Sequence, residues 1–169
     1  MTADKEEFLN ILEKNIGIII KISRVYAKVE QDREDLINDI TLELWKSYKS
    51  FKGNSKISTW IYRVALNVSM NYRRNRSNSS LLYSINDFKK DEIRTWIISQ
   101  DNSSESELTN ILYDCIDDLG EINKAIILLY LDGNSYDEIS EIIGMSKTNV
   151  GTRIGRIKVQ IKNLITLKQ

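Results

Sequence analysis

Residues 135–162 read SYDEISEIIGMSKTNVGTRIGRIKVQIK, and this stretch decides the fold class. Ser135 and Glu138 have the S-x-x-E spacing of a capping box. In that arrangement the hydroxyl and the carboxylate each take up a backbone N–H that would otherwise lack a partner. Ile139, Ile142 and Ile143 then recur at helical spacing. Gly144 suits the left-handed residue that closes a helix. Ser146 is placed to cap a second helix, whose Val150, Ile154, Ile157 and Ile161 form one apolar stripe. From Ser146 to Gln169 there are six basic residues and no acidic one. Two short helices joined by a tight Gly-containing turn, the second one basic, have the plan of a helix-turn-helix that enters a DNA major groove. The plain alternative is a helical hairpin with a solvated basic face.

Working outward, the whole-chain charge conceals this polarity. Lys+Arg and Asp+Glu both number 24, so the formal net charge is zero. The charges are nevertheless segregated. Glu30, Asp32, Glu34, Asp35, Asp39 and Glu43 share one segment with only Arg33 opposing them. Lys46, Lys49, Lys52, Lys56, Arg63, Arg73, Arg74 and Arg76 follow with no acid between. Blocks of opposite sign point to two different partners.

Composition narrows the class further. The chain has 169 residues, no Pro and no His, and one Cys. The absence of Pro, with plentiful Ile, Leu, Lys and Glu, favours long helices over strands and turns. One cysteine makes no disulfide framework, and without His there is no Cys/His zinc site. Cys115 reads as a core thiol on a stripe with Leu108, Ile111, Leu112 and Leu119. Asp4, Lys5, Glu6 and Glu7 near the start are unlike a signal peptide. Ile16 to Ile22 is too short to span a membrane. A cytoplasmic protein without membrane insertion, metal or cofactor is expected.

The expected fold is all-α, with two small helical domains joined by a flexible linker. A first helix runs from about Asp4 to Val29, with Phe8, Leu12, Ile16, Ile19 and Ile20 on one face. A second runs from about Arg33 to Tyr48 and turns Leu36, Ile37, Ile40 and Leu44 inward. A third starts near Ser58 or Thr59 and ends near Arg74, with Ile61, Val64, Ala65 and Val68 inward. These make an N-terminal bundle over 4–76. Polar residues dominate 77–106, the expected linker. The helix-turn-helix domain covers 107–167. It begins after a second capping box at Ser104 and Glu107, with one helix ending at Gly120 and another near Gly133.

Two faces of the N-terminal bundle stand out. Asp35, Asp39 and Glu43 follow at i, i+4 and i+8, and Glu34 and Asn38 flank them. Like charges at that spacing repel. The face is either simply solvated or a docking surface for a basic partner. A Mg²⁺-dependent phosphohydrolase would need a second carboxylate row, nominally Asp114 with Asp117 or Glu138 with Glu141, and no Lys or Arg cluster is arranged for phosphate. An enzyme is therefore not expected. On the third helix Trp60, Arg63, Asn67, Asn71 and Arg74 share a face. Mid-helix Asn has poor propensity. Asn can bond base edges, Arg can hold phosphate and Trp can stack on an unpaired base. Solvated Asn residues and core aromatics are the equally weighted alternative.

Residues 33–74, REDLINDITLELWKSYKSFKGNSKISTWIYRVALNVSMNYRR, resemble region 2 of bacterial sigma factors. Residues 119–162, with S-Y-x-E-I-x-x-x-x-G-x-S-x-x-x-V-x-x-R-I-x-R, resemble region 4. Nothing similar to region 3 lies between, a layout that resembles the extracytoplasmic-function (ECF) class of the sigma-70 family. The resemblance implies binding of RNA polymerase core through Glu34, Asp35, Asn38, Asp39 and Glu43 against the beta-prime clamp helices, with the beta flap as a second contact. It implies that Phe51, Lys52, Gly53, Asn54, Ser55 and Lys56 form a loop that captures a base flipped from the −10 element. Trp60, Arg63, Asn67, Asn71 and Arg74 would then contact the melted strand. Lys147, Thr148, Asn149, Thr152, Arg153 and Arg156 would read the −35 element as duplex. Gly151 and Gly155 depart from the family, which often has a basic or polar residue there, and each mid-helix Gly costs roughly 1 kcal/mol relative to Ala. An anti-sigma factor remains open as a further partner. The alternative function is a helix-turn-helix regulator that binds duplex DNA without serving the polymerase.

Overall fold

The structure is a computed structural model and describes residues 2–75 and 107–168. The described residues form seven α-helices: α1 (Thr2–Tyr26), α2 (Glu30–Tyr48), α3 (Ile57–Asn75), α4 (Glu107–Asp117), α5 (Glu121–Leu131), α6 (Tyr136–Ile143) and α7 (Lys147–Lys168). No strand occurs among them. The chain divides into two compact units, residues 1–103 and 104–169. The expected linker, and the Ser104 half of the second capping box, lie outside the described residues.

In the first unit α1, α2 and α3 each pack on the other two. Phe8, Leu12, Ile16 and Ile19 are buried as their spacing predicts, and Ile22, Val25 and Tyr26 join them, while Ile20 is only half-buried. α1 stops at Tyr26 rather than Val29. The chain turns there, and Arg73 Nε donates to the Tyr26 carbonyl at 3.3 Å. A cation at a helix C-terminus satisfies a free carbonyl and opposes the helix dipole. α2 starts a turn earlier than Arg33, at Glu30, with Val29 as an N-cap that makes no side-chain bond. Glu30 and Asp32 in the first turn supply the favourable charge instead.

α3 corrects the expected inward face. Ile61 and Ala65 are buried, but Val64 and Val68 are only half-buried, and Tyr62, Leu66 and Ser69 are buried instead. The buried arc is rotated toward the side on which α1 and α2 lie, where the larger Tyr62 and Leu66 fill the space between the helices. Ser69 tolerates burial because its hydroxyl donates to the Ala65 carbonyl at 2.7 Å.

In the second unit α7 packs against α4, α5 and α6. Its Val150, Ile154, Ile157 and Ile161 are all buried, as the stripe predicts. Cys115 is a buried free thiol, but Leu108 on its supposed stripe is 73% exposed and belongs to no core. The capping box forms in both directions. Glu138 N–H donates to Ser135 Oγ at 3.2 Å, and Ser135 N–H donates to Glu138 Oε2 at 2.8 Å. Gly144 closes α6 at φ 77°, and Ser146 Oγ accepts from the Asn149 N–H at 3.3 Å. Ser135→Ala is therefore expected to lower the stability of this unit by about 1 kcal/mol, measured by urea unfolding of the full chain; an unchanged midpoint would mean the box carries no net energy.

Candidate polymerase-docking and nucleic-acid surfaces

The acidic stripe of α2 lies opposite its buried residues. Leu36, Ile37, Ile40, Thr41 and Leu44 face the core, and Asp35, Asp39 and Glu43 are exposed, with Glu34 and Asn38 half-buried at the edge. Glu43 approaches Lys46 at 3.9 Å, a solvent-exposed pair of little energetic weight. Among the described residues no group of three His, Cys, Asp or Glu side chains is arranged to hold a metal ion. Asp117 is ion-paired with Lys124 at 3.1 Å and Glu138 serves the capping box, so each has a structural role.

The polar face of α3 forms as its spacing predicts. Arg63, Asn67, Asn71 and Arg74 are all exposed, opposite Tyr62, Ala65, Leu66 and Ser69. Trp60 is half-buried rather than free. Its ring lies 5.0 Å from Phe51 and 6.4 Å from Tyr48. Tyr48 and Trp45 in turn contact Phe8 at 5.4 and 5.1 Å. Aromatic pairs at such separations add roughly 0.5–1.5 kcal/mol each beyond their buried area. This cluster anchors the loop after α2 to the bundle. Trp60 and Phe51 thus have a structural role in the bundle while keeping accessible surface.

Gly53 turns the loop at φ 71°, a conformation that a side chain would strain. Lys52, Asn54 and Lys56 are exposed and Ser55 is half-buried. A cavity of about 510 Å³ opens beside the loop, walled by Asp4, Glu7, Trp45, Tyr48, Phe51 and Gly53. Partial burial holds the Tyr48 phenol above its ordinary range, and the Glu7 carboxylate hydrogen-bonded to it adds to the shift. The residues α1 contributes to this wall were not legible as site residues, since they stand more than forty positions from the loop.

α7 presents its expected residues unequally. Lys147, Thr148, Asn149, Thr152, Arg153 and Arg156 are all exposed. Lys147 is ion-paired with Asp137 at 2.7 Å, however, and Arg153 Nη1 donates to Asn123 Oδ1 at 3.0 Å. These two lean toward the body of the unit. The line opposite the buried stripe is Thr148, Thr152, Gly155 and Val159, at i, i+4, i+7 and i+11, all exposed. Gly155 and Val159, outside the expected set, share this exposed line by the same helical spacing that sets the buried stripe. The two glycines differ. A Cβ on Gly151 would meet the Tyr136 ring at 3.3 Å, whereas a Cβ on Gly155 would meet nothing within 4 Å.

Residues 11–79 match the Sigma-70 region 2 family and residues 109–161 match Sigma-70, region 4. The chain is 32% identical over 171 residues to the ECF RNA polymerase sigma-E factor of Haemophilus influenzae, covering 96% of this chain and 89% of that protein. The chain belongs to the ECF sigma-factor family. The sigma-E factor of Escherichia coli is 31% identical over 141 residues, 79% of this chain and 74% of that protein. Two solved structures share the fold of this sigma factor. One is CnrH in complex with the cytosolic domain of CnrY, with TM-score 0.67, 18% identity, and 98% and 91% of the two chains covered. The other is the sigma factor RpoE of Bartonella quintana in complex with the anti-sigma factor NepR, with TM-score 0.63, 19% identity and both chains fully covered. The α2, loop and α3 residues described above all fall within the region 2 match, and those of α7 from Lys147 to Arg156 within the region 4 match. The protein therefore functions as a sigma factor of RNA polymerase. No helix among the described residues is long and apolar enough to cross a membrane.

Proposed function

We propose that this sigma factor docks on the beta-prime clamp helices of core polymerase through Glu34, Asp35, Asn38, Asp39 and Glu43, and holds promoter DNA with two separate surfaces. The observation that carries the reading is the pairing of opposite faces on one small bundle: exposed carboxylates on α2, and exposed Arg63, Asn67, Asn71 and Arg74 on α3. One body of this kind can join a basic protein partner, met by its carboxylates, to a phosphate backbone. The loop 51–56 and the cavity beside it receive a base extruded from the −10 element. Unpairing costs a few kcal/mol per base, which stacking and hydrogen bonds in the pocket offset. Melting follows from tighter binding of the open form, with no chemical step, since only differential affinity shifts an equilibrium. Lys147, Thr148, Asn149, Thr152, Arg153 and Arg156 lie along the duplex of the −35 element.

An apolar cleft of about 320 Å³, walled by Ile127, Tyr130, Leu131, Ile161 and Ile165 among others, is the surface we assign to the beta flap. An anti-sigma factor, the partner named with the Bartonella protein, is a further partner in this reading. The work is carried out in the cytoplasm, where polymerase and promoters are, and the protein is not an enzyme.

The test is initiation. With core polymerase, Asn67→Ala should reduce open-complex formation on linear duplex tenfold or more, on the order of one lost base-edge hydrogen-bond pair, and a pre-melted −10 bubble should restore it. A variant that is equally impaired on the bubble template would remove the melting role. A wild-type protein that fails to co-elute with core polymerase, yet binds duplex DNA alone, would favour the regulator reading.

A further inference from the structure

We infer that α7 reads thymine methyl groups in the major groove, with Thr152 and Val159 supplying the apolar contacts and Gly155 letting the helix backbone close on the DNA. The inference rests on the proposed placement of α7 on the −35 duplex and specifies what it recognises there.

Thr152 already uses its hydroxyl donor within its own helix. Its Oγ1 donates to the Thr148 carbonyl at 3.0 Å, one turn back in the same helix. What the exposed side chain offers a base edge is a methyl group and a residual acceptor. Two turns further along the same line, Val159 is 61% exposed, a branched apolar side chain on an otherwise polar face. Its position opposite Val150, Ile154, Ile157 and Ile161 keeps it out of the core those residues fill.

Gly155 lies between them. Packing within the unit does not require it, because a Cβ there would meet nothing within 4 Å. Gly151 is different, since the Tyr136 ring occupies the space its Cβ would need. A glycine in mid-helix weakens the helix relative to alanine. A residue that weakens its own helix and relieves no internal contact serves an external one, and close approach of backbone to a ligand is the use to which glycine is suited. The flanks are polar and basic, with Asn149 and Arg156 exposed on one side, and Lys147 and Arg153 tied back to Asp137 and Asn123. That arrangement leaves Arg156 for a phosphate and the centre line for base edges. In the major groove the C5-methyl of thymine is the one apolar feature, and a Thr methyl is among the groups that pack on it.

The experiment uses the full chain with core polymerase. Preferred −35 sequences are first selected from random duplex, and each thymine is then replaced by deoxyuridine, which removes only the methyl. At one or more thymines the affinity should fall about fourfold, the size of one buried methyl. Thr152→Ser should abolish the difference between thymine and uracil at one position, and Thr152→Val should keep it. A thymine–uracil difference that survives in Thr152→Ser at every position would show that the Thr152 methyl makes no such contact and would overturn its assignment. Gly155→Ala should raise the melting temperature of the free protein and weaken holoenzyme binding to the selected duplex. Unchanged or tighter binding would overturn the close approach. If uracil is tolerated at every position, the methyl contact is wrong while duplex recognition stands. If affinity does not depend on the −35 sequence at all, the placement of α7 on the duplex falls, and the methyl contact with it.

Discussion

Asp39→Arg and Glu43→Arg should each weaken binding to RNA polymerase core by several kcal/mol, on the order of a hundredfold or more. Each reversal places a guanidinium where the proposed interface has a basic partner, so attraction becomes like-charge repulsion. The same changes should leave the fold intact. Both side chains are exposed, and the core of α2 is made by Leu36, Ile37, Ile40 and Leu44 on the other side. Along α2 Asp39→Arg exchanges two like-charge i,i+4 pairs, with Asp35 and Glu43, for two opposite-charge pairs, each worth roughly 0.2–0.5 kcal/mol, which offsets the loss of the interaction the Asp39 side chain itself makes. Glu43→Arg loses only the 3.9 Å approach to Lys46. Stability close to that of the wild type, with core affinity lost, is thus the expected pair of results. Competition binding against the wild-type chain reads the second, and thermal unfolding the first. Wild-type core affinity in both single variants and in the double variant would end the docking assignment.

Lys124→Ala should destabilise the C-terminal unit by about 2–3 kcal/mol. Lys124 is 1% exposed, with Nζ 3.1 Å from Asp117 Oδ1 and 3.5 Å from Glu121 Oε1. These acids end α4 and begin α5, so the ammonium joins the two helices at their turn. Breaking a fully buried pair costs roughly 3–5 kcal/mol. The lower figure is expected here because Asp117 and Glu121 keep 22% and 36% exposure, and water compensates them in part. Lys124→Met keeps the aliphatic stem and should recover part of the loss, whereas Lys124→Ala also leaves a cavity. Denaturant unfolding of the full chain, followed by a probe in the C-terminal unit, separates the two. A midpoint unchanged in Lys124→Ala would show that the pair contributes nothing beyond what water supplies.

The residues that mark α6 and the start of α7 were legible because their interactions are local. Ser135 and Glu138 bond each other's backbone three positions apart, and Gly144 and Ser146 act within one turn of themselves. Such signals need no knowledge of a partner element. The exposed rows of α2 and α3 were legible for the same reason, since a helix brings residues three and four apart together wherever it lies. The cavity wall beside Gly53 was not, because Asp4 and Glu7 reach it through the packing of α1 on α2.

By itself the sequence determined the helices, the helix-turn-helix and the charge of each face, all set by contacts within about four residues. Tertiary structure alone decided how the buried face of α3 is turned and which exposed groups are already engaged. The buried arc of α3 follows where α1 and α2 lie around it, so it takes in Tyr62, Leu66 and Ser69 and leaves Val64 and Val68 half-exposed. Lys124 could be buried only because two carboxylates from adjoining helices converge on it. Arg153 looked like the equal of Arg156 until α5 brought Asn123 to within 3.0 Å of it. Burial and pairing are properties of a site and its surroundings together, and the surroundings exist only after the helices have packed.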